Sequence, residues 1–72
     1  AGTMHNVSDY LDITTELAAA FPRVDDAGQI AALEICEQAG KHPEMPPAEF
    51  RPFVAKCARD KVGMAQRRRG YE

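Results

Sequence analysis

The side chains most suited to chemistry lie close together near the end of the chain, where Lys56, Arg59, Lys61, Arg67, Arg68 and Arg69 fall within fourteen residues. Ammonium and guanidinium groups only donate hydrogen bonds at neutral pH, so what they offer is recognition of anions, either phosphate or carboxylate. The other reactive types are sparse. Cys36 and Cys57 are too few for a disulfide scaffold, and their separation matches no zinc-site spacing. They read as buried reduced thiols, with one bridge between two packed helices as the alternative. His5 and His42 have no carboxylate or cysteine at ligand spacing, so no metal role is expected of them.

The acids are spread along what read as solvent faces, and no serine or cysteine has a histidine at any argued proximity. There is also no glycine-rich loop following a strand to cradle phosphate. The expectation is a protein without catalytic, cofactor-binding or metal-binding residues, and therefore not an enzyme.

The elements that must hold the basic cluster follow from periodicity. Tyr10, Ile13, Leu17, Ala20 and Phe21 recur at helical spacing from about Ser8 to Phe21, with Leu11, Thr14 and Ala18 beside them. Asn6, Ser8 or Asp9 can cap this segment, and Pro22 closes it. A second helix spans about 26–39, with Asp26 and Gln29 in a capping-box pattern. Its apolar residues run nearly all the way round, leaving Glu34, Glu37 and Gln38 as the polar strip. It should be the central element, with Gly40 in the left-handed position that ends it and Pro43 preventing continuation.

The connection Lys41 to Pro47 is stiffened by three prolines, and Met45 within it should fold over the core. A third helix covers about 48–68, starting at Pro47 or Pro52. Phe50, Phe53, Val54, Cys57, Ala58, Met64 and Ala65 form its broad apolar face, with Lys61 and Arg68 emerging from the middle. That arrangement, and Gly63, predict that the helix leaves the domain body near Arg59. The fold class is all-α, a small three-helix bundle.

Seventy-two residues make one domain, near the size at which only about 60% of the unfolded surface can be buried. Twelve residues are alanine, while Leu, Ile, Val and Phe number thirteen, so the core must be thin. Close packing through alanine or burial against a second copy would compensate, and a homodimer formed through helices one and two is expected. No apolar run of about 18 residues exists to span a membrane, and no signal peptide is recognisable, which points to the cytoplasm. Ala1, Gly2 and Thr3 before Met4 read as a cloning remnant, leaving 4–72 as the domain.

Charge is polarised along the chain. Residues 1–50 carry nine acids against two bases, and residues 51–72 carry seven bases against two acids. The cations can pair with the acids of the first two helices, or they can form a surface for an outside anion. In the second case Arg59, Lys61, Arg67, Arg68 and Arg69 are the partner-binding residues. The partner is then another protein with an acidic surface, with Phe50 and Phe53 as apolar anchors where exposed.

The alternative is a nucleic-acid-binding regulator that uses the basic terminal helix, with Tyr71 placed to stack on a base. An acidic isoelectric point near 5.6 argues against it. So does the link between helices two and three, longer than the three or four residues of a helix-turn-helix.

Two short words, Leu17-Ala18-Ala19-Ala20 and Pro47-Ala48-Glu49-Phe50-Arg51-Pro52-Phe53, are similar to the small helical theta subunit of bacterial replicative polymerase. That family has a comparable alanine run and a Pro-Glu-aromatic-rich entry to its last helix. The spacing between the two words differs by several residues. The resemblance implies a non-catalytic accessory subunit, in keeping with a small helical interaction or regulatory protein of bacterial, phage or plasmid type.

Overall fold

A computed structural model describes residues 5–69. The first three residues and Tyr71 lie outside that range. A 3-10 turn, Val7–Tyr10, leads directly into helix α1, Leu11–Ala20; α2 spans Ala27–Lys41 and α3 spans Pro47–Arg68. The bundle is all-α, with no strand among the described residues. The opening turn is tighter than the continuous helix expected from Ser8. The Asn6 carboxamide oxygen accepts from both the Ser8 amide at 3.1 Å and the Ser8 hydroxyl at 2.8 Å, which winds the first residues into a local turn.

Helix α2 packs closely against both neighbours, whereas α1 and α3 approach each other less and meet through side chains such as Asp12 and Arg51. It is the central element. Asp26, just before α2, meets Arg69 at the end of α3, and the His42 ring at the close of α2 meets Phe53 near the start of α3. Contacts at both ends make α2 and α3 an antiparallel hairpin along their whole length. A helix-turn-helix instead crosses its helices at about 90–120°.

The core is built from Tyr10, Ile13, Leu17, Val24, Ala27, Ala31, Ile35, Phe50, Val54, Ala58 and Val62. Small residues at Ala27, Ala31 and Ala58, all fully buried, let the helices approach closely, as a thin core requires. Met45 packs over this core, as does the half-buried Phe53.

Several expectations are corrected. Glu34 and Gln38, read as part of a solvent strip, are buried, while Leu33 is 70% exposed and Cys36 is exposed. Glu34 and Gln38 lie one turn apart and satisfy each other, the Gln38 amide donating to the Glu34 carboxylate at 2.7 Å. That bond removes much of the penalty of burying them and allows α2 to turn Leu33 outward. Gly40 does not end α2 in a left-handed turn. The helix continues through Lys41, and the His42 amide closes the last turn on the Gln38 carbonyl at 2.9 Å.

Helix α3 starts at Pro47, so Pro52 is interior and the Ala48 carbonyl loses its usual helical donor. Its second half does not leave the domain. The buried stripe is Phe50, Val54, Ala58 and Val62, a strict four-residue spacing that excludes Lys61 and Arg68 from the middle. Val62 is fully buried and Ala65 packs against the core, which keeps the last turns on α2. The cysteines are both free, and only Cys57 is even partly buried. Among the described residues, no helix is long and apolar enough to cross a membrane.

Candidate partner-binding surface

The two uses foreseen for the cations are divided between different residues. Arg51 and Arg69, at opposite ends of α3, are tied to acids of the first half of the chain. Arg51 donates to the Asp12 carboxylate at 2.8 Å and to the Asp9 carbonyl at 2.7 Å, with its guanidinium over the Tyr10 ring. Arg69 donates through both terminal nitrogens to Asp26, at 2.7 and 3.2 Å. These guanidinium hydrogen bonds hold the Asp12 and Asp26 carboxyls below the usual carboxylate range. Asp26 was expected to cap α2, yet it makes no capping hydrogen bond. A forked charged donor is the stronger partner, and it takes the carboxylate.

Lys56, Arg59, Lys61, Arg67 and Arg68 have no carboxylate at ion-pairing distance among the described residues. Helical geometry separates them into two sets. Lys61 and Arg68, seven residues apart, lie on the α2 side and line an open groove of about 320 Å³ floored by Ile30, Met64 and Ala65. Met64 is 39% exposed between them. Arg59 and Arg67 lie on the other side of α3, in a second groove of about 430 Å³ that takes in the half-buried Phe21. Each groove joins a partly exposed apolar side chain to two cations that have no ion-pair partner among the described residues, with the Asp26–Arg69 pair also lining the first and Asp60 the second. Of the five residues expected to act together, two face α2, two face the end of α1, and Arg69 is folded onto Asp26.

The opposite end of the molecule holds an aromatic cluster that sequence reasoning missed. The His5 ring stacks on Phe50 with centroids 3.8 Å apart and planes 11° from parallel. His5 Nε2 is 2.9 Å from the His42 carbonyl oxygen, and Tyr10 meets Phe50 edge-on at 5.1 Å. His42 in turn stands edge-on to Phe53. Nothing in the sequence pattern signals this, because His5 precedes the first periodic residue. Its ring serves as a lid over a core phenylalanine. Phe50 is fully enclosed and so cannot anchor an outside partner.

The thiol of Cys57 is pushed up, first by burial and then by the Glu34 carboxylate, a direction opposite to that which activates a nucleophile. No group of three or more metal-ligating side chains occurs among the described residues. No family model, curated protein or solved structure matches the chain. The likeness of two short words to the theta subunit thus has no support over the whole chain.

Proposed function

We propose that this is a small non-enzymatic interaction protein that self-associates and recognises an acidic protein surface through the second half of α3. The observation that carries this reading is the groove holding Lys61 and Arg68 around Met64, with Ile30 and Ala65 beneath. An apolar centre with a cationic rim is the arrangement that gives a protein interface both affinity and orientation. The cations of that rim have no carboxylate at ion-pairing distance among the described residues, which leaves them open to the carboxylates of a partner. A location in the cytoplasm fits this reading.

The second reading, a nucleic-acid-binding regulator, is favoured by one specific observation. Arg59 and Arg67 flank the partly exposed Phe21, a ring on which a base can stack. Salt separates the two. Binding of labelled single-stranded or duplex DNA must weaken steeply between about 50 and 200 mM salt if phosphates are neutralised. A protein complex centred on Met64 should persist across the same range. Under the leading reading, neither DNA probe is shifted at low salt, and a salt-sensitive shift would replace that reading with the second.

A further inference from the structure

We infer that the groove around Met64 takes an amphipathic α-helix of a partner protein, one carrying two carboxylates seven residues apart with an apolar side chain midway between them. This rests on the acidic-partner reading proposed above and supplies the conformation and residue pattern of that partner.

The conformation follows from what the groove can satisfy. Its floor is Ile30 of α2 with Met64 and Ala65 of α3, so a segment laid on it loses water from its own amide and carbonyl groups. Those groups need other partners. An extended segment finds them on a sheet edge, and no strand exists among the described residues. A helix closes its backbone hydrogen bonds internally and presents only side chains. The hairpin of α2 and α3 already takes one helix on its other side, where a Cβ built on Gly28 would meet the Thr14 carbonyl oxygen of α1 at 3.9 Å and the Ala18 Cβ at 4.0 Å. Ile30, two residues on and about 200° round α2, faces away from α1.

The residue pattern follows from the two cations. Lys61 and Arg68 stand seven residues apart, which puts them about 10.5 Å apart along α3 and within about 20° of the same direction. Met64 lies between them, 39% exposed. A helix packed alongside at a shallow crossing angle has the same rise, so carboxylates seven residues apart on it reach both cations while the residue midway covers Met64. An extended segment spans that distance in about three residues, and an odd spacing turns its two side chains to opposite faces. Charge agrees with this occupant. Asp26 and Arg69 also line the groove, already joined as a pair, so its surplus is the two positive charges of Lys61 and Arg68. Two carboxylates neutralise it.

The test is a selection of random displayed peptides on the full chain, with the chain carrying Lys61→Glu and Arg68→Glu as counter-target. Enriched peptides are expected to carry Asp or Glu seven residues apart, Leu, Ile, Met or Phe midway, and no proline within that span. A synthesised winner should gain helical circular dichroism on binding and bind the doubly reversed chain about tenfold more weakly or worse. It should also shift the amide resonances of Ile30, Lys61, Met64, Ala65 and Arg68 in the unaltered chain. That map needs no variant, so it decides the site whatever the double reversal does to folding. Acidic winners that map to this groove but lack the seven-residue spacing, or hold proline within it, overturn the helix and leave the acidic-partner reading standing. Winners that are not acidic, winners that map elsewhere, or no enrichment at all overturn both. In that last case, single-stranded DNA shifting the same resonances would make a nucleic acid the occupant.

Discussion

At Asp26 two uses of one carboxylate compete, and the outcome sets a pH dependence. Its pairing with Arg69, like that of Asp12 with Arg51, lowers the folded-state value beneath that of the unfolded chain. Protonation then favours unfolding. The stabilisation is fully present above the unfolded value of about 3.9 and is lost as pH falls through the lowered folded value. Asp12→Asn combined with Asp26→Asn should accordingly flatten the fall of the thermal midpoint between about pH 5 and 2, and an unaltered acid limb would show that these pairs do not form in solution.

Phe50 is fully buried with the His5 ring on its face and Tyr10 at its edge. Phe50→Ala should cost about 3–5 kcal/mol in urea unfolding, comparable to the whole stability of a domain this small. The reactive thiol is also assignable. Cys36 is exposed, whereas the Cys57 thiol is pushed up by burial and by Glu34. In dilute protein Cys36 should be alkylated first, as peptide mass mapping after brief treatment will show.

Among the elements, the two irregular positions of α3 give two tests of its helix that share a direction. Pro52 denies the Ala48 carbonyl its amide partner, and Gly63 sits in a helix with nothing within 4 Å of the position its Cβ would occupy. Gly63→Ala should stabilise by about 0.5–1 kcal/mol. Pro52→Ala should stabilise as well, by about 1–3 kcal/mol, since the restored hydrogen bond outweighs the added freedom of the unfolded chain. If Gly63→Ala has no effect on the thermal midpoint, the last turns of α3 are not held on α2 as described.

The existence and order of the helices were legible in the sequence because proline closes α1 at Pro22 and opens α3 at Pro47, and because the apolar spacing between them is helical. Their rotation was not. On α3, Val62 lies between Lys61 and Gly63, and without it the apolar face reads too broad and ends too early. On α2, alanine contributes so little to an apolar face that Leu33 and Cys36 seemed as well suited to the core as Ala31. The spacing of Glu34 and Gln38, one helical turn apart, was the signal that the pair could be buried together.

At the scale of the whole molecule, the charge separation seen along the sequence becomes a separation in space. The described body extends over 44 × 18 × 16 Å. Arg51 lies at one end of α3 among the acids of the opening turn, and Arg69 at the other closes the hairpin on Asp26. Between them, the unpaired cations of the second half of α3 form two grooves rather than the single patch anticipated from their closeness in sequence. The candidate residues were therefore visible in the sequence, but their division was not. It depends on which side of α3 is covered by α2, and the sequence leaves that angle undetermined among alanine, valine and cysteine.

Functional use of these cations requires that the fold not depend on them. The most direct measurement is capture from the native host with the unaltered chain, with Lys61→Glu/Arg68→Glu and with Arg59→Glu/Arg67→Glu, each compared with its thermal midpoint. The proposed interface predicts that reversing Lys61 and Arg68 abolishes capture of an acidic protein and leaves the midpoint nearly unchanged, while reversing Arg59 and Arg67 leaves capture largely intact. Undiminished capture with Lys61 and Arg68 reversed, or a midpoint that collapses with them, would contradict it.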